Sequence, residues 1–265
     1  MYGSVYSQLQ LKEIFHIEFL RWLGRKLKPE NYALKGGVNL RFFFNSFRYS
    51  EDMDLDASGI NVDSLKETVM KILAVRSFQE PLKPFGIEKI IPPNISKAKQ
   101  TETTQRFKVH LLTAAGEDLF AKVEFSRRGF KGEPVVQPVS DAVLRAYHLP
   151  PLICPHYSAG TAILQKIEAL ASRAVVQARD VFDLYVLIPQ ADLSFPRKRE
   201  SNRLAPALVD KARDNALEIS FGQFRDTVLS YLAPEDRTVY DKAAVWDEIK
   251  RKVAGFIDKI QQTDA

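Results

Sequence analysis

Hydrophobic residues follow two different periods in two parts of the chain. Before about residue 150, short apolar runs alternate with polar residues, and the alternation is clearest in residues 105–114 and 119–126. A period of two is typical of strands with one buried face, so these runs predict a hairpin around Gly116. From about residue 157 onward, apolar residues recur every three or four positions, which predicts helices.

The elements before residue 150 predict a mixed sheet with flanking helices. An amphipathic helix is expected over residues 5–28, a short strand at 32–34, a short helix at 38–47 and a strand at 50–56. Ser64 with Glu67 predicts a capping box at the start of a helix that runs to about residue 76. The proline-rich residues 149–155 predict the boundary between two domains. The fold class is therefore predicted to be α+β, with a sheet domain in residues 1–150 and a mainly helical domain in residues 151–265.

Composition and charge exclude several classes of protein. The 265 residues are 45% hydrophobic and carry a net charge of +5, which excludes a disordered chain and is compatible with a polyanionic partner. Cys154 is the sole cysteine, which excludes an internal disulfide and a cysteine-based zinc site. Because no apolar run approaches a membrane span and the N-terminus lacks a signal-peptide core, we expect a cytoplasmic protein without membrane contact.

The predicted strand at 50–56 carries an unusual set of acids. Asp52, Asp54 and Asp56 alternate with Met53 and Leu55, so a strand places the three carboxylates on one face. Like charges on one face repel and weaken a strand. A hard cation would remove that repulsion, so the pattern indicates a metal-dependent site.

Three interpretations of these carboxylates are open. An EF-hand calcium loop fits the first acids, but Ala57 stands where that loop needs glycine and Asp63 where it needs glutamate. The acids could instead lie on a solvated strand edge and pair with Arg41 or Arg48. They could also hold two metal ions for nucleotidyl transfer, with Glu124 on a neighbouring strand as a third carboxylate.

A pair of glycines, Gly36 and Gly37, ends the apolar run that precedes the acids. A glycine turn that leads into a helix lets backbone N–H groups approach a phosphate closely, and the helix dipole favours the negative charge. The glycine pair alone is weak evidence for a phosphate site, and its position before alternating acids strengthens it.

A second set of charged residues lies in the predicted helices. Lys166 and Arg173 are seven positions apart, and Asp180 and Asp183 are three apart, so each pair shares a helix face. Spacing alone favours surface ion pairs such as Arg179 with Asp183, each worth ~0–1 kcal/mol.

The order of these motifs resembles the AbiEii-type nucleotidyltransferase-like toxins, which belong to the polymerase-beta-like nucleotidyltransferase superfamily. Each motif is unspecific by itself, whereas the ordered set, which runs from about residue 32 to 183, is more specific. The resemblance implies a nucleotidyltransferase-like mixed sheet followed by a helical domain that completes the active-site cleft. The residues that carry it are Gly36-Gly37, Arg48-x-Ser50-x-Asp52-x-Asp54, Lys166, Arg173, Arg179-Asp180 and Asp183.

The resemblance implies a role for each motif. Gly36 and Gly37 would hold the phosphates of an NTP, with Ser50 near them, and Asp52 and Asp54 would bind Mg²⁺ or Mn²⁺. In the helical part, Lys166 would contact the triphosphate and Asp180 would lie at the active site, while Arg173, Arg179 and Asp183 would orient these groups. Two departures from the family pattern are Gln165, where glutamate is common, and the double glycine, where the wider fold usually has Gly-Ser.

The function implied by the resemblance is that of a toxin in an abortive-infection type toxin–antitoxin system, with a role in phage defence. It would transfer a nucleotide from an NTP to an RNA acceptor such as the 3′ end of tRNA, and its partner would be an antitoxin with a winged-helix DNA-binding domain. The alternatives are a catalytically silent RNA- or protein-binding module on the same fold, and transfer to a protein hydroxyl. The basic loop at residues 196–201 resembles an insertion and is not assigned a binding role.

Overall fold

The computed structural model describes residues 6–191 and 204–263, and every structural statement below refers to those residues. The helices are α1 (Gln8–Leu23), α2 (Gly36–Phe43), α3 (Val62–Ala74), α4 (Arg76–Gln79), α5 (Asp141–Arg145), α6 (Ala159–Ser172), α7 (Ala178–Leu187), α8 (Pro206–Glu218), α9 (Phe221–Thr227), α10 (Pro234–Tyr240) and α11 (Ala243–Thr263). The strands are β1 (Tyr32–Lys35), β2 (Asp52–Ala57), β3 (Ile87–Ile91), β4 (Thr104–Thr113), β5 (Asp118–Ser126), β6 (Pro134–Pro138) and β7 (Ile153–Tyr157).

Contacts divide the described chain into two units. The first comprises the residues through Phe43 together with Tyr49–Tyr157, and the second comprises Phe44–Arg48 together with the residues from Ser158 onward. The first unit contains the sheet and the second is helical, which confirms the predicted α+β class. The basic loop at 196–201 lies outside the described residues.

The seven strands form one mixed sheet in the order β3-β4-β5-β2-β1-β7-β6. Strand β2 therefore lies in the middle, antiparallel to β1 and parallel to β5. The predicted hairpin is confirmed, because β4 and β5 pair antiparallel along nearly their full lengths. Met53 and Leu55 of β2 are fully buried in the core of the unit, as the period of two requires.

Helix α1 differs from its sequence prediction, because it is buried on all sides rather than amphipathic. Ser7 caps its first turn by accepting a hydrogen bond from the backbone of Gln10, and the helix ends at Leu23 rather than near residue 28. Its buried Glu13 is paired, because it accepts hydrogen bonds from the guanidinium of Arg41 at 2.7 Å and from the hydroxyl of Tyr147 at 2.7 Å. These contacts compensate for the cost of burying a charge at the centre of the unit.

One strand was not predicted and one local prediction is wrong. Residues 153–155 of the proline-rich stretch belong to β7, which pairs with β6 along its length and with β1 at His156. Helix α3 is capped by the side chain of Asn61, which accepts from the backbone N–H of Ser64 at 2.7 Å. Ser64 itself lies inside the helix, so the capping box expected for Ser64 and Glu67 does not form.

The second unit is built around aromatic rings. Phe224 stacks on Trp246 at 4.3 Å between ring centroids, and the indole N–H of Trp246 donates to the carbonyl of Ile219. Phe182 of α7 packs edge-on against Phe47, which lies in the short segment 44–48. None of the helices in the described parts of the chain combines the length and apolarity needed to cross a bilayer.

His16 on α1 provides a test of this buried helix. Burial, reinforced by the charge of Lys12, lowers the pKa of His16 to about 3. The unfolded chain binds a proton near the ordinary histidine pKa while the folded chain does not, so stability is lost as the pH falls from about 6.5 toward 3. Between pH 7 and pH 4.5 the unfolding temperature of both proteins should fall. We expect the fall in His16→Leu to be smaller than that in wild type by at least ~3 °C.

The matched control is His148→Asn, because His148 is exposed and its φ of 53° suits asparagine. Its unfolding temperature should fall with pH as that of wild type does. Thermal unfolding of the three proteins at constant ionic strength gives the comparison. An equal fall in wild type and His16→Leu would contradict the account of α1.

Candidate functional site

The three acids of β2 have three different environments. Asp52 is the most open, with its side chain 40% exposed, and its Oδ2 lies 2.8 Å from Nζ of Lys122 on β5. Asp56 is buried, and its carboxylate accepts from Lys35 at 2.5 Å and from the hydroxyl of Tyr157 at 2.6 Å. Both carboxylate oxygens of Asp56 are therefore used within the sheet, whereas Asp52 is partly exposed and pairs with Lys122.

Asp54 lies between charged neighbours on both sides. In the strand register it is opposite Lys35 on β1 and opposite Glu124 on β5. Burial raises the pKa of Asp54 above its usual range, the negative charges of Glu124 and Asp52 raise it further, and Lys122 and Lys35 oppose the shift. These surroundings disfavour the negative charge of Asp54 and therefore favour the arrival of positive charge.

Gly36 brings the backbone against Asp54. It has a φ of 68°, in the left-handed region that favours glycine, and a Cβ built on it would lie 3.1 Å from Oδ2 of Asp54. Helix α2 begins at this residue, so its first N–H groups have no intrahelical partners. Asn39 fixes the helix in place by donating to the carbonyl of Tyr157 at 3.0 Å. A positive helix end and a carboxylate thus lie in direct proximity.

Ser50 and Glu124 are placed near these acids by different contacts. The hydroxyl of Ser50 donates to the backbone carbonyl of Asp52 at 2.9 Å, which shapes the entry into β2. Glu124 is adjacent to Asp54 in the parallel register, and it accepts from Nε of Arg106 at 2.7 Å. Its predicted role as a third metal ligand would require that pair to open.

The structure excludes two of the three sequence interpretations of the carboxylates on β2. Residues 52–57 form a strand and not a loop, which excludes the EF-hand. Strand β2 is central and not an edge, Arg41 pairs with Glu13, and Arg48 pairs with Asp183. These observations do not contradict the third interpretation, a carboxylate pair that binds metal ions.

The donor set of β2 fits a hard divalent cation. Carboxylate oxygens are the ligands that Mg²⁺ prefers, and it commonly uses one or two carboxylates together with substrate phosphates. Within residues 6–191 and 204–263, no group of three or more His, Cys, Asp or Glu side chains is placed to hold a metal. The fit therefore rests on two carboxylates, Asp52 and Asp54, and on the glycine cradle at Gly36.

Lys166 lies in a buried ion cluster of the second unit. Its Nζ donates to Oδ1 of Asp180 at 2.8 Å and to Oδ2 of Asp183 at 2.5 Å, and both carboxylates are fully buried. Arg48 reaches both oxygens of Asp183 at 2.9 and 3.1 Å, and Arg173 lies 2.9 Å from Oδ2 of Asp180. The prediction of surface ion pairs, which spacing favoured, is therefore wrong, because Asp180 and Asp183 lie on the buried face of α7.

The cluster favours the charged forms of Lys166 and Asp183. Burial alone would lower the pKa of Lys166, but the charges of Asp180 and Asp183 outweigh it and raise that pKa overall. Burial likewise would raise the pKa of Asp183, and Arg48 with Lys166 lowers it overall. Removal of one member would leave a buried charge uncompensated, which typically costs ~3–5 kcal/mol.

Several functional contacts were not predicted from the sequence. Arg48 lies 135 positions before Asp183, and no local pattern indicates that they pair. The contact of Lys122 with Asp52 had a weak signal, since a period of two puts Lys122 and Glu124 on the same face of β5. Only the parallel pairing of β2 with β5 reveals which acids they face.

Alternating carboxylates on a central strand beside a glycine-led helix define a nucleotidyltransferase-like class of protein. A family model described as the nucleotidyl transferase AbiEii toxin of type IV toxin–antitoxin systems matches residues 18–263. The chain therefore belongs to this family, and it is a nucleotidyltransferase of the toxin type. Membership implies an NTP substrate and an antitoxin partner.

Solved structures share the fold. MenT4, a nucleotidyltransferase toxin from Mycobacterium tuberculosis, matches with a TM-score of 0.58 and 16% identity over 97% of this chain and 88% of its own. JHP933 from Helicobacter pylori matches with a TM-score of 0.54 and 19% identity over 98% of this chain and 97% of its own. No curated protein sequence matches the chain.

The different environments of Asp54 and Asp56 predict opposite effects on stability. Asp54→Asn removes a partly buried charge from among like charges, so we expect the unfolding temperature in EDTA to rise by ~2–4 °C. Asp56→Asn removes the acceptor for Lys35 and Tyr157, so we expect a loss of ~1–3 kcal/mol in the free energy of unfolding. Thermal and urea unfolding of both variants give the comparison. Destabilisation of Asp54→Asn as large as that of Asp56→Asn would contradict this assignment.

The approach of Gly36 to Asp54 can be tested with a second glycine. Gly36→Ala and Gly116→Ala both place a side chain at positive φ, which costs ~1–2 kcal/mol, but Gly116 has no atom within 4 Å of its added Cβ. We expect similar losses of stability in the two variants and a loss of nucleotide transfer of about ten-fold or more in Gly36→Ala alone. Equal activity of the two variants would show that the cradle has no functional part.

Proposed function

We propose that the protein is a Mg²⁺- or Mn²⁺-dependent nucleotidyltransferase that transfers a nucleotide from an NTP to an RNA acceptor, with the 3′ end of tRNA as the acceptor site. The observation that carries this proposal is the placement of Asp54 against Gly36, with Asp52 two residues earlier on the same central strand. A carboxylate pair beside the first N–H groups of a helix suits a metal-bound triphosphate.

The chemistry follows from these groups. A 3′ hydroxyl of the RNA attacks the α-phosphate, the bond between the α-phosphorus and its bridging oxygen breaks, and pyrophosphate leaves while the hydroxyl proton passes to solvent. Asp52 and Asp54 would hold the cation, which supplies positive charge to the phosphates. The backbone N–H groups at Gly36 and Gly37 bind the phosphates, and Ser50 lies beside the carboxylates.

Lys35 and Lys122 have a part that the sequence did not indicate. Both cations lie beside the acids, with Lys122 paired to Asp52 and Lys35 paired to Asp56. They balance the negative charge of the strand when the cation is not bound. A cation bound at Oδ2 of Asp52 would compete with Lys122 for that oxygen.

For Lys166 and Asp180 we propose roles that start from their own cluster. Asp180 and Asp183 fix the ammonium group of Lys166, and two of its three N–H donors are used in these contacts. A triphosphate oxygen would accept a hydrogen bond from the third N–H of Lys166. Arg48 and Arg173 position the two aspartates, and Glu124 stays a candidate third ligand once Arg106 releases it.

The biological setting in this proposal is a toxin–antitoxin pair that acts in the cytoplasm, where NTPs and RNA are present, and that serves phage defence. The antitoxin would carry a winged-helix DNA-binding domain. The alternative of a silent RNA-binding module has less support, because Arg127, a cation that could contact RNA in such a module, donates instead to Gln105 and to the carbonyl of Ile60. Transfer to a protein hydroxyl is separated from RNA transfer by the product.

The transfer reaction is tested with the purified protein, each labelled NTP and total tRNA in the presence of Mg²⁺. We expect one NTP to label RNA, the product mass to rise by one or more nucleotides, and EDTA to abolish labelling until Mn²⁺ or Mg²⁺ is restored. Asp52→Asn and Asp54→Asn should each lower the rate at least about 100-fold, since removal of one preorganised charge-stabilising group has effects of this order.

Asp63→Asn is the matched control, because Asp63 is also an aspartate but its side chain is 79% exposed on α3. It should label RNA at the wild-type rate. Wild-type labelling of RNA by an Asp52→Asn, Asp54→Asn double variant would overturn the mechanism. A labelled protein and unlabelled RNA would keep the enzyme class and overturn the acceptor.

A further inference from the structure

A pocket of about 730 Å³ lies within the second unit and has no part in the chemistry described above. Helices α7, α10 and α11 line it together with the segment 44–48 and the residues after α7. Its volume lies in the range of sites that bind small organic groups. The question is which chemical group its lining would recognise.

The walls of the pocket are aromatic. Tyr185, Tyr240 and Phe256 line it, and Phe44 and Phe47 complete the ring surface. Tyr240 is fixed in place, since it stacks on Phe47 at 5.1 Å between centroids and packs edge-on against Phe182 at 5.5 Å. Prealigned rings are the surfaces on which unpaired nucleobases stack.

The charges of the lining are positive. Arg251, Lys252 and Lys259 of α11 belong to it, and the lining residues that the structure describes include no carboxylate. Lys252 lies over the ring of Tyr185 at 5.9 Å and also pairs with Glu248 on the outer side of the helix. Flexible cations next to aromatic rings match a nucleotide, whose base is flat and whose phosphate is negative.

The arrangement favours an RNA strand over an NTP. A triphosphate is normally bound with a metal, and the lining offers no acid to hold one. Arg251 and Lys259 lie eight positions apart on one helix, which separates them by ~12 Å along its axis. That distance exceeds the spacing of adjacent phosphates, so it suits phosphates spread along a strand better than the clustered phosphates of one NTP.

Polar groups for a base edge are also present. Asn45 and Gln190 line the pocket, and side-chain amides donate and accept hydrogen bonds at the edges of bases. Asn45 has a φ of 55°, and His148 is the one other non-glycine residue with a positive φ among the described residues. A non-glycine residue in this region is uncommon and is often found at a functional site.

We propose that this pocket binds an unpaired nucleotide of the RNA acceptor, with its base against Tyr185 and Phe256 and its neighbouring phosphates on Arg251 and Lys259. The identity of the ligand rests on the RNA acceptor of the proposed function, whereas the pocket itself is independent of Asp52 and Asp54. It would hold the RNA at a point away from its reacting end and add affinity without taking part in transfer.

Binding is measured with a fluorescently labelled single-stranded RNA in EDTA, so that no transfer occurs. We expect Arg251→Gln, Lys259→Gln to weaken binding about ten-fold or more and to lower the slope of log affinity against log salt by ~1–2. Phe256→Leu should weaken binding about five-fold or more and leave that slope unchanged, because stacking releases no counterions. Far-ultraviolet circular dichroism and thermal unfolding confirm that each variant is folded.

The matched control is Lys211→Gln, Lys242→Gln, which removes two exposed cations of the same unit that do not line the pocket. It should bind within about two-fold of wild type. Photocrosslinking of 4-thiouridine RNA to wild type should label peptides that contain Tyr185 or Phe256. Crosslinks confined to other peptides, or pocket variants that bind like the control, would overturn the proposal.

Two further outcomes separate this proposal from the proposed function. Asp54→Asn should bind the RNA like wild type while failing to label it, and the pocket variants should label RNA when it is saturating. Competition by free ATP at the same concentration as RNA would make the pocket a mononucleotide site and overturn the proposal. Binding of a protein partner at the pocket, with RNA affinity unchanged by its variants, would overturn it as well.

Discussion

The site depends on one electrostatic constraint, which is that Asp54 is held at the centre of a sheet with Asp52 and Glu124 as negative neighbours and Gly36 against its oxygen. Burial and like charge both disfavour the ionised carboxylate. The sheet tolerates this cost because Met53 and Leu55 of the same strand are fully buried and hold β2 in register. Asp56 shows the contrast, since Lys35 and Tyr157 satisfy it and leave it no role toward a ligand.

The second unit also buries carboxylates, and there cations pair with them directly. Two fully buried aspartates on α7 are paired with Lys166, Arg48 and Arg173, so the cations of the cluster exceed its carboxylates by one. Arg48 comes from the short segment that precedes β2, which joins the placement of that segment to the packing of α7. In both sites aspartates lie in largely buried surroundings, and the cations beside them come from residues distant in sequence.

The sequence predicted elements wherever local periodicity decided them. Alternation identified β4, β5 and β2, and three-to-four spacing identified α6 and α7. It failed where distant contacts decide: α1 is buried on all sides because the rest of the unit packs around it, and β7 forms across a proline-rich stretch because β1 and β6 pair with it. Asp52 and Asp54 were singled out by their pattern alone, whereas the pairing of Lys122 with Asp52 and of Arg48 with Asp183 needed the tertiary structure.

The most direct test of the metal site is a crystal grown with Mn²⁺ and a non-hydrolysable NTP, examined by the anomalous scattering of manganese. The account predicts an anomalous peak within ~2–2.4 Å of a carboxylate oxygen of both Asp52 and Asp54, with Lys122 displaced from Asp52 and the phosphates at the start of α2. A manganese peak elsewhere, with Lys122 still bound to Asp52 and the nucleotide remote from Gly36, would contradict it.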